Sequence, residues 1–292
     1  LGFNVVNSLL CAFAAPFFLR LIPLTAGDLI RQTANVHTFV MLTGAIVFLP
    51  LTQSYARFIT AIVPSRKPPP QPSFLDATLV AYPEKAICAG LAELQRVTRI
   101  CIRSFRLTID LLFHINRREV RAVKLNEDIV DEIKLAVRDY VAVLAKKYLS
   151  RRQSILIQHL NRCMADLERM ADHIDELCDT SVRRHRNPLA RFDRNALELL
   201  FALYEAADRV LRLVADSLDP ETHDFQSVAQ SILDARDAYV QQSIHAKATF
   251  NECIAHHEFP PVTGLFFSDY VSAFDRIVKH AKAIALAEKQ PY

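Results

Sequence analysis

The sequence predicts an all-α protein, with membrane helices leading into a duplicated three-helix bundle, and three observations carry that prediction. No glycine occurs between Gly90 and Gly264, and the only prolines from 84 to 259 are Pro188 and Pro220. A sheet fold needs more turn residues than that. Apolar residues recur three and four apart over long stretches, which gives each helix a core-facing stripe. The pattern then repeats itself, three helices followed by three more of similar length.

Residues 1–19 are almost wholly apolar or small, broken by Asn4, Asn7 and Ser8 and closed by Arg20. That run just reaches the length that spans about 30 Å of hydrocarbon. A polar connection with Pro23, Gly27, Asp28 and Arg31 follows, then a second apolar run from Phe39 to Leu51. The second run crosses a bilayer if Ala34 to Val36 join it; otherwise it sits among other helices, and a buried soluble hairpin is the competing reading. Residues 1–63 are thus expected to be the C-terminal fragment of a membrane domain. Leu1 is not Met, and no basic stretch precedes the apolar run, so the chain reads as part of a longer protein and not as one opening on a signal peptide. Asn4, Asn7, Asn35 and His37 are costly facing lipid and are expected to face other helices.

Pro64 and Pro68-Pro69-Pro70-Gln71-Pro72 make a stiff linker over 64–75. Beyond it, helices are expected over about 83–114, 117–149, 151–186, 192–217, 224–256 and 263–288. Asn187-Pro188 and Asp219-Pro220 stop two of them. The repeats run over about 83–187 and 192–288 within a helical domain of residues 76–292. The two third helices carry the repeat signal. Asp166-Leu-Glu-Arg-Met-Ala-Asp-His aligns with Ala273-Phe-Asp-Arg-Ile-Val-Lys-His, so that Glu168 meets Asp275, Asp172 meets Lys279 and His173 meets His280.

Thirty-five Lys and Arg against 32 Asp and Glu are too balanced for a nucleic-acid binder. Arg57, Arg66 and Lys67 flank the exit from the second apolar run, which places the helical domain on the cytoplasmic side by the positive-inside tendency. The six cysteines form no Cys-x-x-Cys pair and suit a reduced compartment.

The residues with chemical promise are two acidic pairs. Glu127 and Asp131, and Glu168 and Asp172, each stand four apart and share a helix face. Carboxylates are hard donors that suit Mg, Ca, Mn or iron, and two helices can present four of them at one seam. The same spacing occurs in Asp128/Glu132, Asp172/Glu176 and Asp175/Asp179, so an ordinary solvated acidic face is the competing reading. In the second repeat Lys279 replaces Asp172 and is expected to pair with Asp275. Its second helix offers Asp234 followed by Ala238. Zinc-peptidase, di-iron and nucleotide-binding motifs are absent, and no Ser or Cys has a base nearby in sequence, so no enzyme is expected. The basic run Arg183-Arg184-His185-Arg186 suits a helix C-terminus.

Leu167-Glu168-Arg169-Met170-Ala171-Asp172-His173 on a third helix, with Glu127-x-x-x-Asp131 on a second, resembles the PhoU family of phosphate-uptake regulators over about residues 80–290. The resemblance implies paired three-helix bundles whose acidic motifs bind metal, divalent or iron. Arg31-Gln-Thr-Ala-Asn-Val-His-Thr-Phe and Ile46-Val-Phe-Leu-Pro-Leu resemble the closing part of bacterial sodium/phosphate cotransporters, a family in which such a domain often follows the membrane domain. The implied function is the C-terminal portion of a sodium-dependent phosphate transporter of the bacterial inner membrane. Its bundle would be cytoplasmic and regulatory, with phosphate, sodium and the lipid bilayer as partners, no nucleic acid, and a homodimer as a further option. The Gln-Ser-Ser-rich substrate motifs of that family do not occur in the chain, so its transport residues are expected upstream of Leu1. A membrane-tethered signalling or adaptor bundle without transport is the main rival, and a metal-dependent phosphohydrolase a third reading.

Overall fold

A computed structural model describes residues 12–13, 15–17, 20–42, 46, 49, 72–220, 225–255 and 260–288. The chain divides into two compact units, Leu1–Pro68 and Pro69–Tyr292.

In the first unit a short 3₁₀ turn, Ile22–Leu24, precedes a helical stretch over 29–42. Polar side chains tie the two together. Thr25 donates to the Ile22 carbonyl at 2.7 Å, Gln32 to the Ala26 carbonyl at 2.7 Å, and Asn35 to the Thr25 hydroxyl at 3.0 Å. Asn35 thereby finds a partner within its own unit. Phe13, Leu24, Leu29 and Ile30 are each more than three-quarters exposed. Among the described residues no helix is long and apolar enough to cross a membrane. Most of the two apolar runs, and the linker from 64 to 71, lie outside those residues.

The second unit contains, among the described residues, six long helices and no strand: α1 Pro83–Phe113, α2 Arg117–Leu144, α3 Arg151–Arg186, α4 Arg194–Ser217, α5 Phe225–Ala255 and α6 Pro261–Glu288. Local chemistry sets their ends. Pro83 opens α1 at a position where a missing N–H is harmless. The Asn116 side chain accepts from the Arg118 N–H and starts α2. Ser150 and Gln153 close a reciprocal capping box on α3, and Asp193 caps α4 through the Ala196 N–H.

Helices α1, α2 and α3 pack on one another, as do α4, α5 and α6. The two sets join through α3 on α6 and α1 on α4, while among the described residues α2 and α5 touch no helix of the other set. Phe105 of α1 lies at the join, wholly buried, 4.9 Å from the Tyr204 ring and 5.4 Å from Phe274. Across α3 and α6 the Ser181 and Tyr270 hydroxyls share a 2.7 Å hydrogen bond, and the His173 and His280 rings stack at 5.6 Å. Those two histidines are the positions that the internal alignment pairs. Gly90 lets α1 approach α3, since a Cβ there would come within 2.8 Å of the Leu160 side chain.

Among the described residues the core of this unit is drawn from residues 80–285, with Leu75 and Leu79 packed against it, as a unit that folds on its own requires. The chain's entry is fastened as well. Glu93 of α1, with no exposed surface, accepts the backbone N–H groups of Ser73 and Phe74 at 2.9 Å each and pairs with Arg96.

Candidate cation site at the α2–α3 seam

On α2, Lys124, Glu127, Asp131 and Lys134 recur at intervals of three, four and three, so all four side chains share one stripe. On α3, Glu168, Asp172, Asp175 and Asp179 recur at intervals of four, three and four and likewise share one stripe. Because α2 and α3 pack against each other, the stripes meet along the outer flank of the first repeat. The ends of the seam are neutralised within the protein. Lys134 forms a short ion pair with Glu168, and Lys124 reaches Asp175 at 3.1 Å and Asp179 at 2.9 Å.

The middle carries excess negative charge. Burial raises the pKa of Glu127, and the charges of Asp131, Asp175, Asp128 and Asp172 push the same way. Asp172 is raised by burial and then by Glu168 and Asp131, with Lys134 opposing. The hydrogen bond from Lys134 to Glu168 raises the lysine's pKa and keeps it charged. An open groove of about 820 Å³ runs beside this stretch, lined by Glu127, Asp172, Asp175, Glu176 and Asp179, with Arg183 and Arg186 at one end.

All four acids expected from the sequence therefore lie on one seam. Among the described residues, however, no three His, Cys, Asp or Glu side chains converge closely enough to hold a metal ion. The donor set suits an oxygen-preferring cation, and its uncompensated centre is where such a charge would be favourable. Engaging Glu168 requires Lys134 to swing away from it. Sequence reasoning missed both lysines. Their signal was the basic residue three positions to either side of the Glu127/Asp131 pair.

The second repeat differs from expectation in two ways. Asp275 is held by α5 rather than by Lys279. Tyr239 donates to it at 2.8 Å, Ser243 at 3.0 Å, and the Lys247 ammonium lies 2.7 Å away. Lys279 is exposed, because helical geometry turns it toward solvent and brings the α5 ammonium to the carboxylate instead. Asp234 and Ala238 are exposed and do not reach Asp275. The α5 side chains that reach Asp275 are Tyr239 and Ser243, four apart and carrying hydroxyls.

The fold and seam define the class: an all-helical protein of paired three-helix bundles, with a carboxylate-rich flank on the first. The PhoU domain family matches residues 94–180, from Leu94 of α1 to Thr180 of α3, which supports a PhoU-like domain there. That span holds Glu127, Asp131, Glu168 and Asp172. No curated protein matches the chain.

Proposed function

We propose that the helical unit is a PhoU-type regulatory module for phosphate transport and that its first-repeat seam binds a divalent or iron cation. The observation that carries this reading is that the PhoU match covers the segment bearing the uncompensated carboxylates. Glu127, Asp131 and Asp172 would hold the cation, with Glu168 joining once Lys134 releases it. A cation there supplies positive charge in place of lysine and draws α2 to α3. The reading assigns no catalysis to the bundle.

The finer reading is that the chain forms the C-terminal portion of a sodium-dependent phosphate transporter in the bacterial inner membrane, with the helical unit in the cytoplasm. The exposed apolar side chains of the first unit support it, since a surface of that kind calls for cover by lipid or further helices. Phosphate and sodium would then be handled by membrane segments beyond this chain, and the bundle would act on them as monomer or homodimer.

Thermal melts of residues 69–292 with and without Mg, Mn or iron test the cation site. Mass action predicts a gain of about 2.7 kcal/mol at a hundredfold excess over the dissociation constant. Asp172→Ala removes most of the gain and Asp275→Ala leaves it. No response in the parent, or equal loss in both variants, reduces the seam to a solvated acidic face.

A further inference from the structure

Where α1 meets α2 and α3 meets α4, the helical unit ends in a concentration of arginine. The Arg184 guanidinium donates to the Leu112 carbonyl and, at 3.4 Å, to that of Ala190, which holds the two connections side by side. Residues 114–121 and 183–194 contain eight arginines against Glu119 and Asp193, six net positive charges. The rest of residues 73–292 carries seven net negative charges.

Folding does not account for this arrangement. A cation is favourable at a helix C-terminus, which covers Arg183 and Arg186. Arg117, Arg118 and Arg121 lie in the opening turns of α2, where the helix dipole disfavours them. Arg191 precedes the start of α4. All six are exposed, and among the described residues none has an acidic partner. Three apolar side chains stand out from the same two connections: Phe113 at 56% exposure, Ile115 at 36% and Leu189 at 64%. A groove of about 690 Å³ opens beside them, lined by Phe113, Phe192, Leu197 and Phe201 and, on its polar side, by Asp193, Glu198 and Glu205.

We propose that this end of the bundle docks on an anionic lipid bilayer. Guanidinium groups bind phosphate oxygens in pairs, and exposed guanidinium groups on the same connections as protruding apolar side chains match a negatively charged headgroup layer over hydrocarbon. A nucleic acid would satisfy the arginines but leave Ile115 and Leu189 in water. The docking needs no metal and stands apart from the regulatory reading.

Co-sedimentation of residues 69–292 tests it, using phosphatidylcholine vesicles with and without phosphatidylglycerol. The unit pellets with the anionic vesicles only, and less as salt rises. Each arginine removed weakens binding roughly fivefold, so Arg117→Gln with Arg118→Gln loses about twentyfold or more at unchanged melting temperature. Ile115→Ser with Leu189→Ser weakens binding as well, which provides an independent pair of variants. Failure to pellet at low salt, or equal pelleting with neutral vesicles, overturns the proposal. So does a loss confined to the arginine variants together with equal affinity for duplex DNA, which would mark a general polyanion surface.

Discussion

The Lys247 ammonium lies 2.7 Å from the Asp275 carboxylate, joining α5 to α6 as Lys134 joins α2 to α3 through Glu168. The two ion pairs share a place in the repeat but have different neighbours. Around Glu168 stand further carboxylates. Around Asp275 stand the hydroxyls of Tyr239 and Ser243. The second seam is closed by its own donors, whereas the first keeps charge in excess.

Tyr239→Phe is expected to destabilise the helical unit by about 1.5 kcal/mol, the range for a hydrogen bond to a charged group. Burial, with the Asp275 charge adding, raises the pKa of its hydroxyl, so it stays a donor at any working pH. Urea unfolding of the variant and the parent measures the difference, and a cation response unchanged from the parent would accompany it.

Neutralising the middle of the first seam has the opposite sign. Glu127 and Asp172 have raised pKa values in the folded protein, so their contribution to stability is present below the unfolded pKa and is lost as pH rises through the folded one. Glu127→Gln and Asp172→Asn should therefore melt higher than the parent near neutral pH when cations are chelated. The advantage shrinks in acid. Adding cation stabilises the parent more than either variant, which a parallel melting series checks.

His159 supplies a second pH dependence. Its ring is buried beside the Cys163 thiol, 3.4 Å from the sulfur, and burial with a smaller effect of Arg162 pulls its pKa down from 6.5 to about 4. The unfolded chain binds the proton more readily, so this contribution is complete above about pH 6.5 and falls away toward pH 4. The loss reaches roughly 3 kcal/mol at most. His159→Phe should flatten the slope of unfolding free energy between those limits, and chemical denaturation at stepped pH reads it.

Phe105→Ala is expected to cost about 3–5 kcal/mol, as for a large aromatic removed from a packed core. Because Phe105 touches both Tyr204 and Phe274, the loss falls on the join between the repeats. Hydrogen exchange should show α4 and α6 losing protection along with α1. A loss confined to the first repeat would argue against that join.

The helices were legible because their signals are local. Apolar spacing, Asn187-Pro188 and Asp219-Pro220 are all read within a few residues, and α3 runs over the expected 151–186. The four acids were legible for the same reason, being periodic on single helices. Lys124 and Lys134 were not, because their partners are 34 to 55 residues away along the chain and only packing selects them. The α5 partners of Asp275 were not legible either, because Tyr239 and Ser243 do not resemble acids and only packing brings them to it.

Glu93 sits about three turns inside α1, yet it grips the chain at Ser73 and Phe74, before the helix has begun. A pull on the preceding residues is therefore delivered to the middle of α1 and not to its first turn. The load meets the two hydrogen bonds to Glu93 before it reaches the opening turn at Pro83. A tether fixed in this way cannot unzip the helix from its end. Traction from upstream would instead act on α1 as a rigid rod, with its N-terminal turns shielded from the strain.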